Sequence, residues 1–181
     1  AQYQVTVEAN SSTGNTYDGV EHAATGLKTS EFTVDGQKYT IEGLNTSDPR
    51  AVNAGEYANT ISGTPVVKDA NGNDVSSQFA VTLVPGKLEI AKRSVTLTSA
   101  SDSRVYNGEA LTNDDVTVGG DGFVAGEGAV YNVTGAITDA GKVANSFTYE
   151  RNSNTNFDNY NISKEEGTLE VTPVADKVTV T

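Results

Sequence analysis

The stretch from Gly86 to Gly108, GKLEIAKRSVTLTSASDSRVYNG, ends one sequence unit and begins another, and both of its halves recur elsewhere in the chain. The closing half, Gly86-Lys87-Leu88-Glu89-Ile90, returns as Gly167-Thr168-Leu169-Glu170-Val171. The opening half, with Val95-Thr96-Leu97 followed by Tyr106-Asn107-Gly108, has an earlier copy in Val5-Thr6-Val7 followed by Tyr17-Asp18-Gly19. Such a duplication constrains the fold strongly, because each copy must bury a core of its own within about 80 to 90 residues. Modules of that size bury roughly 60–65% of the surface that their unfolded chains expose, enough to fold without metal or disulfide help. The expected division is a first module over 1–92 and a second over 93–173. The remaining 174–181 reads as a tail or the start of a further repeat, since Lys177-Val178-Thr179-Val180-Thr181 looks like another first strand.

Period-two alternation dominates both copies, as half-buried strands require. Tyr3, Val5 and Val7 alternate with Gln4 and Thr6, and Phe32-Val34, Tyr39-Ile41, Val81-Leu83 and Leu88-Ile90 follow suit. Val95-Leu97, Val116-Val118, Tyr131-Val133, Phe147-Tyr149 and Leu169-Val171 do the same in the second copy. No apolar stripe at helical spacing extends beyond about two turns. Asp35-Gly36 between two alternating runs predicts a tight hairpin, because this pair tolerates positive φ. Asp69 to Asp74, with Asn71-Gly72 at its centre, predicts another connection. The fold class expected is all-β, with two tandem antiparallel immunoglobulin-like sandwiches. A β-grasp-like module is the alternative, and it would require a helix across the sheet. With only Ala91, Lys92 and Arg93 between the copies, the linker should be short and stiff and the particle elongated, an expectation that small-angle scattering tests.

The chemistry excluded is extensive. The 181 residues include no Cys, no Met and no Trp, which removes disulfides, thiolate catalysis and Cys-ligated metals. His22 is the single histidine, so a His-based triad or transition-metal site has few possible members. A formal charge of −12 repels phosphate backbones and anionic membranes, and favours solubility. No apolar run has membrane-spanning length. The start at Ala1-Gln2 reads as a mature or excised segment whose address and anchor lie elsewhere.

The remaining polar features have plain structural readings beside their functional ones. Tyr17-Asp18-Gly19 and Tyr106-Asn107-Gly108 place an aromatic ring beside a turn of positive φ, and the expectation is a buried ring in both. Ligand stacking is the alternative. Asp69 to Asp74 carries oxygen groups at alternating positions, as a calcium loop would, but lacks the distal bidentate Glu. Asn113-Asp114-Asp115 with Asp121 is a second acidic group, read as a solvated loop. Glu165-Glu166 could in principle serve glycoside hydrolysis, but the two sit adjacent at an expected turn and read as solvated charge. Glu89 and Glu170 hold one position in both closing strands and suggest a shared partner. Tyr57, Tyr131 and Phe157 are candidate stacking faces. A spontaneous Lys–Asn or Lys–Asp bond is conceivable in surface β-modules, but no triad for it stands out. No catalytic, cofactor or metal-binding residue is assigned.

Taken together, the Tyr-Asp/Asn-Gly motifs, Ala54-Gly55 and Ala140-Gly141, Asn159-Tyr160 with Asn161-Ile162, and the closing GKLEI and GTLEV strands resemble the YDG-type and MBG-type tandem repeats of large bacterial surface proteins. The first copy carries Gln78-Phe79 where the second has Asn159-Tyr160. The resemblance implies an extracellular, bacterial cell-surface location, stacking in arrays, and a non-enzymatic role as stalk or adhesin module. Neighbouring repeats of the same chain would be the partners. The alternative is a module binding a host glycan or protein through exposed loops. Nucleic acid and membrane are not expected partners.

Overall fold

A computed structural model describes residues 1–175. Its contacts divide the chain into two units, Ala1–Lys92 and Arg93–Thr181. The Lys177–Thr181 stretch that suggests a further repeat lies outside the described residues.

The first unit contains β1 (Tyr3–Glu8), β2 (Ser12–Thr16), β3 (His22–Ala23), β4 (Glu31–Val34), β5 (Gln37–Thr46), β6 (Arg50–Ala51), β7 (Gly55–Asn59), β8 (Ile61–Lys68), β9 (Phe79–Val84) and β10 (Gly86–Ala91). They pair as β1-β9, β2-β10-β7, β3-β6 and β4-β5-β8. Alternation does what the sequence predicts. Val7 on β1, Ile41 on β5, Val67 on β8 and Phe79 on β9 form one buried cluster, with Val5, Phe32, Tyr39 and Val81 packed against it. Phe32 stacks on Tyr39 at 5.5 Å, and both present faces or edges to Phe79 at 5.2 and 5.0 Å. Each fully buried aliphatic side chain contributes about 1.5–3 kcal/mol. Asp35 (φ 48°) and Gly36 (φ 78°) form the tight turn between β4 and β5, both at positive φ as a two-residue hairpin loop needs.

The second unit contains β11 (Arg93–Ser99), β12 (Asp102–Val105), β13 (Val116–Gly120), β14 (Ala129–Val133), β15 (Gly141–Ala144), β16 (Phe147–Arg151), β17 (Tyr160–Glu165) and β18 (Thr168–Thr172). Its sheets are β13-β11-β17, β12-β18-β15 and β14-β16. Val95, Leu97, Phe147 and Tyr160 are buried, as are Leu111, Leu169 and Val171. The all-β expectation holds. The described residues contain no α-helix, only two short 3-10 turns at Ser76–Gln78 and Phe157–Asn159, so the helix that a β-grasp module requires is not there.

Pairing direction departs from the antiparallel expectation in the same way in both units. The first strands run parallel to the last: β1 beside β9 and β2 beside β10, β11 beside β17 and β12 beside β18. The entry and exit segments thus form one parallel ribbon that continues from sheet to sheet. In the first unit Ala9 N–H donates to Val84 C=O across the join (2.9 Å), and Tyr17 N–H donates to Ala91 C=O at the far end (2.8 Å). Tyr106 N–H donates to Thr172 C=O at the matching place in the second (2.8 Å). Parallel strands need a long crossover, and here nearly the whole module supplies it. Strand β10 runs through Ala91 and β11 starts at Arg93, so Lys92 alone separates them, a shorter linker than the three residues expected.

Candidate functional site

What the two units share, position by position, is a set of fixings around the point where the ribbon passes between sheets. The closing glycines come first. A Cβ on Gly86 would strike the carbonyl oxygens of Ala9 and Asn10, and one on Gly167 those of Ser99 and Ala100. Beside them, Lys87 N–H donates to Ser11 Oγ and Thr168 N–H to Ser101 Oγ, each at 3.0 Å.

The second fixing is a fully buried asparagine, the last residue of β7 in the first unit and the residue just past β15 in the second. Asn59 and Asn145 each have 0% exposure. Asn59 Nδ2 donates to Asn10 C=O (3.0 Å), and its Oδ1 accepts from Asp48 N–H (3.1 Å). Asn145 Nδ2 donates to Ala100 C=O (2.9 Å) and Asn113 C=O (2.8 Å). Its backbone carbonyl accepts from Ser99 Oγ (2.6 Å), which in turn accepts from Gly167 N–H (3.0 Å). One amide therefore ties the ribbon's bend to a distant loop. The Ala-Gly pairs at 54–55 and 140–141 do not by themselves reveal this residue. The full recurring string is Ala-Gly-x-x-Ala-Asn, at 54–59 and 140–145, and its last letter carries the signal.

The Tyr-Asp/Asn-Gly turns share their backbone and differ in their ring. Gly19 (φ 78°) and Gly108 (φ 81°) have the positive φ anticipated. Asp18 Oδ1 accepts from Val20 N–H and Asn107 Oδ1 from Glu109 N–H, both at 2.9 Å. The Val20 N–H, with His22 at 3.0 Å as a lesser contributor, holds the Asp18 carboxyl below its ordinary pKa. Tyr17 is buried at 6% exposure, but Tyr106 is 42% exposed, which corrects the expectation of a buried ring in both. Beside the second turn the core is filled by the bridged pair Leu111 and Ile137, and the matching pair in the first unit is His22 and Ala51. The Tyr106 hydroxyl comes near Gly108 of its own turn, 4.0 Å from where a Cβ would stand.

Asp69, Asp74, Glu166, Glu89 and Glu170 find local partners. Asp69 Oδ1 accepts from Asn71 N–H and Asn73 N–H (2.9 Å each), and Asp74 Oδ1 from Ser76 N–H (3.0 Å) and Ser76 Oγ (2.6 Å). These bonds lower the pKa of both carboxyls, the Asn73 N–H leading for Asp69 and the Ser76 hydroxyl for Asp74. Asn113 Oδ1 accepts from Asp115 N–H, and strand β13 lies between that loop and Asp121, whose backbone carbonyl accepts from Arg93. Glu166 is more than solvated charge: its carboxylate accepts from Phe147 N–H (3.1 Å), while Lys164 donates to Phe147 C=O (2.9 Å) and sits 5.1 Å from the ring centre. Glu89 and Glu170 both meet a lysine, but not the same one. Lys87 bridges Glu89 and Glu56 in the first unit, and Lys142 pairs with Glu170 in the second.

The three candidate stacking aromatics are engaged with neighbours. Tyr57 donates its hydroxyl to Asn53 C=O (2.9 Å) and lies over Gly55. Tyr131 meets Phe147 at 6.5 Å, and Phe157 meets Phe123 at 6.5 Å and Tyr149 at 5.9 Å. Burial raises the Tyr131 phenol pKa. Lysines with ion pairs keep 36–68% of their side chains exposed, the reverse of the burial a Lys–Asn crosslink needs. Among the described residues no three His, Cys, Asp or Glu side chains gather to hold a metal ion, and no helix is long and apolar enough to cross a membrane. No family model, curated protein or solved structure matches the chain.

Proposed function

We propose that the chain is a non-enzymatic structural repeat of a bacterial extracellular surface protein, in which immunoglobulin-like modules act as stalk or spacer. The observation that carries this reading is the recurrence of purely structural fixings in both units: Gly86 and Gly167, Ser11 and Ser101, Asn59 and Asn145. The carboxylates of Asp69, Asp74, Glu166, Glu56 and Glu170 are tied to backbone N–H groups or to lysines. A spacer has to preserve its fold and needs no convergent chemistry, whereas general acid–base work needs placed groups near a substrate.

The test is substitution by function. The chain is placed between a surface anchor and a reporter domain, and is then exchanged for an unrelated β-module of similar size. Unchanged reporter display supports the spacer. In parallel the whole chain is applied to a glycan array and to immobilised host matrix proteins. A reproducible ligand abolished by a single surface substitution would replace the spacer with the binding-module reading.

A further inference from the structure

In each unit the chain enters along one strand and leaves along a neighbour that runs the same way. This determines how tension along the chain loads the module. Pulling the entry strand back toward its N-terminus and the exit strand forward toward its C-terminus slides the two past each other, so the bonds between them are strained together. Had the terminal strands been antiparallel, the same pull would have acted at one end of the ladder and opened it bond by bond.

The ribbon is long. In the first unit six residue pairs join β1 to β9, from Tyr3–Phe79 to Glu8–Val84. The Ala9–Val84 bond spans the join, Ser11 holds Lys87 N–H, and Leu88, Ile90 and Ala91 pair with Ser12, Asn15 and Thr16. In the second unit Arg93 to Thr98 pair with Tyr160 to Glu165, and Asp102 to Val105 with Leu169 to Thr172. One such bond is worth only about 0.5–1.5 kcal/mol net, so the resistance comes from breaking many at once.

The closing glycine brings the two backbones into direct contact at the bend. A Cβ on Gly86 would strike the Ala9 and Asn10 carbonyls, and one on Gly167 those of Ser99 and Ala100, so only glycine lets the exit strand lie this close to the entry strand.

We propose that each unit is a force-bearing clamp, in which the parallel entry–exit ribbon, closely apposed at Gly86 or Gly167, resists tension transmitted along the chain. This deepens the spacer reading by stating the load the module carries, yet it is a property of each unit taken alone.

Single-molecule force spectroscopy on the full chain tests it. Because the chain has no cysteine, introduced ones define the points of attachment. One arm pulls through the two chain ends. The other pulls through Gln2→Cys and Ser77→Cys, exposed positions at the same end of the β1–β9 pair, where Gln2 Nε2 donates to Ser77 C=O at 3.1 Å. That second geometry peels the ladder from Tyr3–Phe79 onward. The rupture force of the first unit should be severalfold higher through the ends than through the peeling pair, reflecting a slower forced unfolding rate. Equal forces, or a lower force through the ends, overturn the clamp. That result would leave the spacer reading standing, since the reading depends on reporter display and ligand binding instead.

Discussion

A wholly buried amide that ties together carbonyls from separate loops leaves each of them unsatisfied when it is removed. Asn145→Ala would take this partner from the half-buried Ala100 C=O and Asn113 C=O, and should lower stability by about 1–3 kcal/mol in urea denaturation, with Asn59→Ala costing a similar amount. A loss below about 0.5 kcal/mol would show that these bonds are not what holds the bend. The titrating residues set the pH range. Asp48 has its carboxyl pKa lowered from 3.8, chiefly by the Thr46 hydroxyl and then by the Gly26 N–H. Its folded pKa lies below the unfolded one, so its contribution is present above the unfolded value and is lost as pH falls through the folded value. Asp48→Asn keeps an acceptor without the charge, and should flatten the decline in stability below about pH 4. Tyr160 works in the opposite direction. Burial foremost raises its phenol above 10.0, while it donates to Glu127 (2.9 Å) and accepts from Val124 N–H (3.1 Å). Its contribution is full below the unfolded pKa and disappears as pH rises through the folded one, so Tyr160→Phe should reduce the steepness of alkaline unfolding above about pH 10.

At the scale of the strand, the closing glycines separate crowding from conformation. Gly86→Ala and Gly167→Ala push a methyl into backbone carbonyls and should each cost about 2–3 kcal/mol. Gly72→Ala places the same methyl in open space at φ 82°, so it should cost only about 1 kcal/mol from the backbone alone. Equal losses at both kinds of site, measured by thermal or urea unfolding, would contradict the close approach. The strands themselves were legible because Val5 and Val7, or Leu88 and Ile90, alternate with polar neighbours, and the Asp35-Gly36 turn was legible because few pairs accept its φ values. The parallel ribbon was not. Alternation looks the same in either direction, and direction depends on which distant strand supplies the partner. Asn59 and Asn145 were missed for a related reason: at a strand end an asparagine reads as turn chemistry, and its burial is decided by the loops that fold over it. Tyr106 shows the limit of a motif, since matching turn geometry leaves one ring buried and the other exposed.

For the whole chain, each unit possesses its own buried cluster and closes its own ribbon. A fragment of residues 1–92 should therefore fold by itself, giving a β-type circular dichroism spectrum and a cooperative melt. A coil spectrum from that fragment would refute it. Tandem copies of one plan also face a hazard of assembly, because a strand can settle into the equivalent slot of the neighbouring copy. The ion pairs across the closing strands bear on that error. In the native registers Glu56 stands opposite Glu89 with Lys87 bridging them, and Lys142 stands opposite Glu170. If β7 were to dock on β18, Glu56 would face Glu170, and Thr168 would occupy the place of the bridging lysine. Two like charges directly across a sheet are unfavourable. The charge pattern thus disfavours β7 on β18, whereas the reciprocal hybrid, β15 on β10, would set Lys142 against Glu89 and meets no such repulsion.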